Sequence, residues 1–102
     1  MRSLTITVDE KEIEVTPSFS VIERIETRFG LMEFLKEVSR GTPRVSNAAW
    51  VIYCATSAAG DDTKYKDIGQ WALDNYANAL SAATDIVTTA TNVGSQNPPK
   101  KK

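Results

Sequence analysis

Asn47-Ala48-Ala49-Trp50-Val51-Ile52-Tyr53-Cys54-Ala55-Thr56-Ser57-Ala58-Ala59 decides how this chain is read. From Ala48 to Ala55 it holds eight consecutive apolar residues. An amphipathic surface helix shows a polar residue every second or third position; a helix apolar on every side is a buried central element. Trp50-Val51-Ile52-Tyr53 alone would suit a strand. The alanines, the length and the flanking signals favour a helix. Ser46 stands in front as an N-cap candidate, whose hydroxyl can accept from an unpaired backbone N–H. Gly60 stands behind, where a left-handed residue closes a helix at little steric cost. The rest of the chain reads as cover for this rod.

Before it, Leu4, Ile6 and Val8 alternate with threonines, and Ile13 and Val15 alternate with glutamates and Thr16. Period two marks half-buried strands. With the polar Asp9-Glu10-Lys11-Glu12 between them, the two form a β-hairpin. No Asn-Gly or Asp-Gly names the turn type. Two strands alone are marginal in water, so the apolar face must lean on helices. Pro17 ends the second strand. Ser20-Val21-Ile22-Glu23 has the form of a capping box. It opens a short amphipathic helix over about 20–29 that Gly30 stops. Leu31, Phe34, Leu35 and Val38 then mark a second short helix, closed by Gly41 and Thr42-Pro43.

After Gly60, Asp61 to Lys64 is a polar loop. From about Lys64, Ile68, Trp71, Ala72, Tyr76, Leu80, Ala83 and Val87 recur at helical steps. The pattern allows one bent helix or two packed end to end, and Asn75-Tyr76-Ala77-Asn78 favours two. Gly69 weakens the first of them by about 1 kcal/mol relative to alanine. Thr84, Thr88, Thr89 and Thr91 should leave the end frayed. The expected fold is α+β and mostly helical: an N-terminal hairpin on four or five short helices around a central apolar helix, residues 1–91, with a disordered tail over 92–102.

The chain has 102 residues, enough for one small domain, and a formal net charge of −1. Residues 1–40 carry six Lys/Arg against eight Asp/Glu, and residues 41–97 carry three against five. Three lysines close the chain. The folded part offers no basic face for a phosphate backbone. There is no histidine, which removes the usual neutral-pH acid–base group. The single cysteine, Cys54, lies in the most apolar stretch and reads as a small buried hydrophobe. Asp61-Asp62 reads as a solvated turn, and Glu10, Glu12 and Glu14 as charge protecting an edge strand. No phosphate loop, calcium loop or nucleophile motif occurs. The expectation is a protein that is not an enzyme, with no metal and no cofactor. No secretory leader is visible, and the apolar run is too short to span a bilayer. A soluble intracellular protein is expected.

Aromatic residues concentrate on the longest helices. An exposed aromatic there marks an interface. The candidate partner or self-association surface is Leu31, Met32, Phe34, Trp50, Tyr53 and Trp71.

The order of elements, together with Pro17-Ser18-Phe19, Ile22-x-x-Ile25-Glu26-x-x-x-Gly30, the Ala48–Ala59 helix and Tyr65-x-x-Ile68-Gly69, resembles the tail assembly chaperones of long-tailed bacteriophages (siphoviruses), especially the gene-transfer-agent type. The likeness covers about residues 3–91. Its glycines are explained by a helix stop at Gly30 and a close contact at Gly69. The Thr-rich last helix departs from the pattern. The resemblance implies a non-catalytic protein of the host cell cytoplasm, not expected in the mature virion. Its partners would be the tape measure protein, kept soluble before the tail tube polymerises, and further copies of itself. It would bind neither nucleic acid nor membrane. Such chaperones are often also made in a form extended by a programmed frameshift, which recruits the tail tube protein. Here Lys100-Lys101-Lys102 offers codons on which a ribosome can slip. The alternative is a small regulatory or nucleic-acid-associated domain, with the first two helices as a helix-turn-helix pair. Glu33 and Glu37 on its would-be recognition helix would repel phosphate.

Overall fold

The computed structural model describes residues 2–91. The expectation of a disordered tail and the lysine run lie outside these residues. The chain opens with an antiparallel hairpin of β1 (Leu4–Val8) and β2 (Lys11–Val15). Leu4 faces Val15 and Ile6 faces Ile13, so the alternating apolar residues share one side. Ile6, Val8, Ile13 and Val15 are buried, while Thr5, Thr7, Glu12 and Glu14 face out. The loop is Asp9-Glu10, with φ of 52° and 67°. Two positive values in a two-residue loop are the signature of a type I′ turn, whose twist matches that of the strands. Neither residue is the usual Asn or Gly, so no local signal marks the turn type.

Among the described residues five helices follow: α1 (Phe19–Ile25), α2 (Leu31–Ser39), α3 (Val45–Ala58), α4 (Tyr65–Asp74) and α5 (Tyr76–Thr91). The rod expected to be central is α3. It packs on α5, α4, α1 and β2, and α5 in turn carries β1. The hairpin therefore straddles the two longest helices. Ala48, Ala49, Val51, Ile52, Cys54 and Ala55 of α3 are all buried. Small side chains let α5 come close, and its own contribution to the core is Ala79, Ala82, Ala83, Ile86 and Val87. The one buried polar residue of α3, Thr56, donates its hydroxyl to the Tyr53 carbonyl at 3.3 Å. That satisfies a group which would otherwise be costly to bury.

Several local expectations are corrected. The cap of α1 is Ser18, whose Oγ accepts from the Val21 N–H at 3.4 Å; Ser20 already lies inside the helix. The helix ends at Ile25 and turns through Glu26–Phe29, so Gly30 is the N-cap of α2 and not the stop of α1. Leu31 instead finds its N–H partner in Glu26 Oε2, at 3.2 Å. Ser46 does not cap α3, which begins at Val45 with Arg44 in the cap position. Glu37 on α2 supplies the missing acceptor: its Oε1 takes the Arg44 N–H at 3.4 Å and Asn47 Nδ2 at 3.3 Å. A carboxylate at a helix N-terminus is favoured by the helix dipole.

Gly41 and Gly60 hold φ of +79° and +91° and close α2 and α3 as expected. The C-terminal pattern resolves into two helices, broken at Asn75. Asn75 donates its side-chain N–H to the Trp71 carbonyl at 3.1 Å, and Tyr76 donates its hydroxyl to the buried Pro43 carbonyl at 2.6 Å, which fixes the corner. A Cβ at Gly69 would meet nothing within 4 Å, so that glycine makes no close contact. The threonines do not break α5, which is helical to Thr91. Thr88 and Thr91 donate to the carbonyls of Asp85 and Val87 on the preceding turn.

Candidate partner-binding face

Of the six residues singled out from sequence, Leu31 and Phe34 are buried within this chain and offer no surface. The amphipathic stripe of α2 faces inward, where Phe34 stacks on Phe29 with ring centroids 5.8 Å apart. Met32, off that stripe, is 63% exposed. Trp50, Tyr53 and Trp71 are half-buried.

Trp50 and Tyr53 lie one turn apart on α3, and Tyr65 at the start of α4 closes a triangle with them. The three ring centroids are 5.6 to 5.8 Å from one another. Edge-to-face and tilted pairs at this spacing are favourable. Trp50 Nε1 donates to the Ile25 carbonyl at 3.2 Å, and the Tyr65 hydroxyl donates to the Ser46 carbonyl at 3.2 Å. Two arginines from α1 and the turn after it lie over this triangle. The Arg28 guanidinium is 4.0 Å from the Trp50 ring centroid and 4.9 Å from that of Tyr65. Arg24 is 5.2 Å from the Tyr53 centroid. Arg28 Nη1 donates to the Tyr65 hydroxyl at 3.0 Å, and Arg24 Nη1 to Ser57 Oγ at 3.2 Å. Both arginines are exposed.

Sequence reasoning missed three of these five residues. Arg24 and Arg28 fall outside the apolar stripe of the helix expected over about 20–29, and Tyr65 enters only through the Tyr65-x-x-Ile68-Gly69 likeness. Their positions one turn apart were visible; the aromatic platform opposite them comes from α3 and α4 and has no local signature. Two exposed apolar residues were also missed: Phe19 is 75% exposed and Leu73 62%. Each lies off the stripe of its helix, Phe19 beside Val21 and Ile25, Leu73 beside Ile68 and Ala72. For Leu73 that offset was legible; Phe19 lay before the helix expected from about residue 20.

Beneath the face, Cys54 is fully buried, and burial pushes its thiol up to about 11, with Arg24 and Arg28 pulling weakly the other way. A thiol held protonated is a packing group and a poor nucleophile. Trp71 lines a different place, an open cleft with Asp9, Asp62, Asp67 and Asp74. Next to it Lys11 Nζ pairs with Asp61 Oδ1 at 2.9 Å and donates to Thr63 Oγ1 at 2.9 Å. The hydrogen bond between Lys11 and Asp61 raises the Lys11 pKa and lowers that of Asp61. The contact ties the hairpin turn to the α3–α4 loop. Among the described residues no group of three or more His, Cys, Asp or Glu is placed to hold a metal ion. No helix among them is long and apolar enough to cross a membrane.

What the face can do is bind. Trp, Tyr and Arg are the residue types that dominate binding hot spots, and here they are fixed before any partner arrives. Comparison of the chain with protein-family models, with curated proteins and with solved structures returned no match.

Proposed function

We propose that this protein is a non-enzymatic tail assembly chaperone of a long-tailed bacteriophage. It binds the tape measure protein and keeps it soluble until the tail tube polymerises. The observation that carries this reading is the fixed arginine–aromatic face of Arg24, Arg28, Trp50, Tyr53 and Tyr65, with exposed Phe19, Met32 and Leu73 on three helices. A protein built to cover another chain needs such surface. The hairpin followed by helices around an apolar α3 is also the element order on which the resemblance rests. The protein then acts in the host cell cytoplasm, associates with further copies of itself, and leaves before the virion matures. An extended form made by frameshifting at the lysine run recruits the tail tube protein.

Co-expression with a tape measure protein from the same gene cluster tests the central point. The expected result is a tape measure protein that moves from the pellet to the soluble fraction and co-purifies with this chain. A tape measure protein equally insoluble with and without it overturns the reading. Expression of the gene with its natural downstream DNA, followed by intact-mass measurement, tests the extended form. The expected result is a minor longer product that diverges near Lys100. The helix-turn-helix alternative gains no support from α2, where Glu37 is engaged at the start of α3 and Glu33 lies 3.8 Å from Lys36.

A further inference from the structure

Arg24 and Arg28 are charged groups without a carboxylate. The ion pairs among the described residues are Lys11 with Asp61 and Lys36 with Glu33, and neither arginine takes part. Each arginine makes one side-chain hydrogen bond to a hydroxyl. A guanidinium carries five N–H donors, so most of each fork is open. Arg28 lies over the Trp50 ring and Arg24 over that of Tyr53, with most of their N–H donors uncommitted, which suits pairing with a carboxylate. The Trp50 and Tyr53 ring centroids are 5.8 Å apart, so the two cations stand over neighbouring platforms. Side chains one helical turn apart are separated by about the same distance, roughly 5–6 Å between Cβ atoms.

We propose that Arg24 and Arg28 form a two-point receptor for a helical segment of a partner protein carrying two carboxylates one turn apart. The aromatic triangle packs against that segment's apolar residues. For the partner being a helical protein chain, the inference rests on the chaperone reading above. The small extent of the basic site favours two isolated carboxylates over nucleic acid. Glu23 and Glu26 flank the pair on the same segment, and the chain as a whole has a net charge of −1. A polyphosphate needs a continuous basic track, whereas two isolated carboxylates need only two guanidiniums.

The probe is an alanine-based helical peptide with two glutamates at i and i+4 flanked by leucines. Its controls are the same peptide with glutamines and an oligothymidylate. Titration of the full chain is followed by NMR at the Trp and Arg side-chain N–H signals. The glutamate peptide is expected to bind at least tenfold more tightly than the glutamine peptide and to shift the Trp50 indole, not that of Trp71. Arg24→Gln with Arg28→Gln removes that advantage while the amide spectrum stays folded. Arg24→Lys with Arg28→Lys, which keeps charge but loses the planar fork, recovers only part of it. Equal binding of the two peptides by the unmodified protein overturns the proposal whatever the variants do. So do shifts centred on Trp71, or tighter binding of oligothymidylate at the same arginines. Failure here beside a solubilised tape measure protein removes the receptor and leaves the chaperone. Glutamate-selective binding beside an insoluble tape measure protein does the reverse.

Discussion

Cys54 shows what burial does to one atom. Its thiol lies under Arg24 and Arg28, yet desolvation outweighs both and lifts the pKa from 9.0 to about 11. The folded protein keeps a proton that the unfolded chain releases. The stability this contributes is fully present below the unfolded value of 9.0 and is lost as pH rises through the folded value, at a slope of up to about 1.4 kcal/mol per pH unit. Urea unfolding at pH 8 and pH 10.5 should therefore show a larger loss of stability in the unmodified protein than in Cys54→Ala. Parallel losses would mean that the thiol ionises freely. Glu10 is the converse case, a residue under backbone strain. Its φ of 67° is one that a β-carbon disfavours, while glycine adopts it freely. Glu10→Gly should raise the unfolding free energy by about 1 kcal/mol, read as a higher urea midpoint with an unchanged slope. No gain would mean that the carboxylate side chain offsets the strain.

At the scale of elements, Gly69 is the simplest test of the helix assignments. It lies inside α4, and a methyl group added there would stand in open space, with no atom within 4 Å. Gly69→Ala should stabilise by roughly 0.5–1 kcal/mol, because alanine loses less backbone entropy in a helix. A destabilised variant would show that position 69 is not an open site on a regular helix. What was legible at this scale followed from periodicity. The hairpin faces came from period two, and α3 from its lack of any polar side. The closures at Gly41 and Gly60 came from glycine's tolerance of positive φ. What was not legible is tertiary. Ser18 and Ser20 are both good caps two residues apart, and the choice falls to the one leaving the extended strand after buried Pro17. The start of α3 is capped by Glu37 from another helix, so its own residues carry no signal and Ser46 misleads. The threonines of α5 are poor helix formers alone, yet Ile86 and Val87 are buried among them and hold the last turns in place. The arginine–aromatic face joins three helices and becomes visible only when they are packed.

On the scale of the whole molecule, a buried apolar core stands beside three large apolar side chains that lie outside it. Alanines between α3 and α5 set their spacing, and Ala83 has no exposed surface at all. Ala83→Leu adds volume where none is free and should cost about 1–3 kcal/mol. Phe19, Met32 and Leu73 lie at the other extreme, on α1, α2 and α4, at 75%, 63% and 62% exposure. Serine at an exposed site of this kind changes stability by about 0.5 kcal/mol or less. The triple variant Phe19→Ser, Met32→Ser, Leu73→Ser should therefore lose no more than about 1.5 kcal/mol of unfolding free energy in urea. If these residues face a partner, the same variant should leave a co-expressed tape measure protein largely in the pellet, while Ala83→Leu should lose solubilising power only in step with its lost stability. A triple variant that solubilises as well as the original would confine binding to the arginine–aromatic face. One that loses more than about 1.5 kcal/mol would show that the three side chains belong to the fold after all.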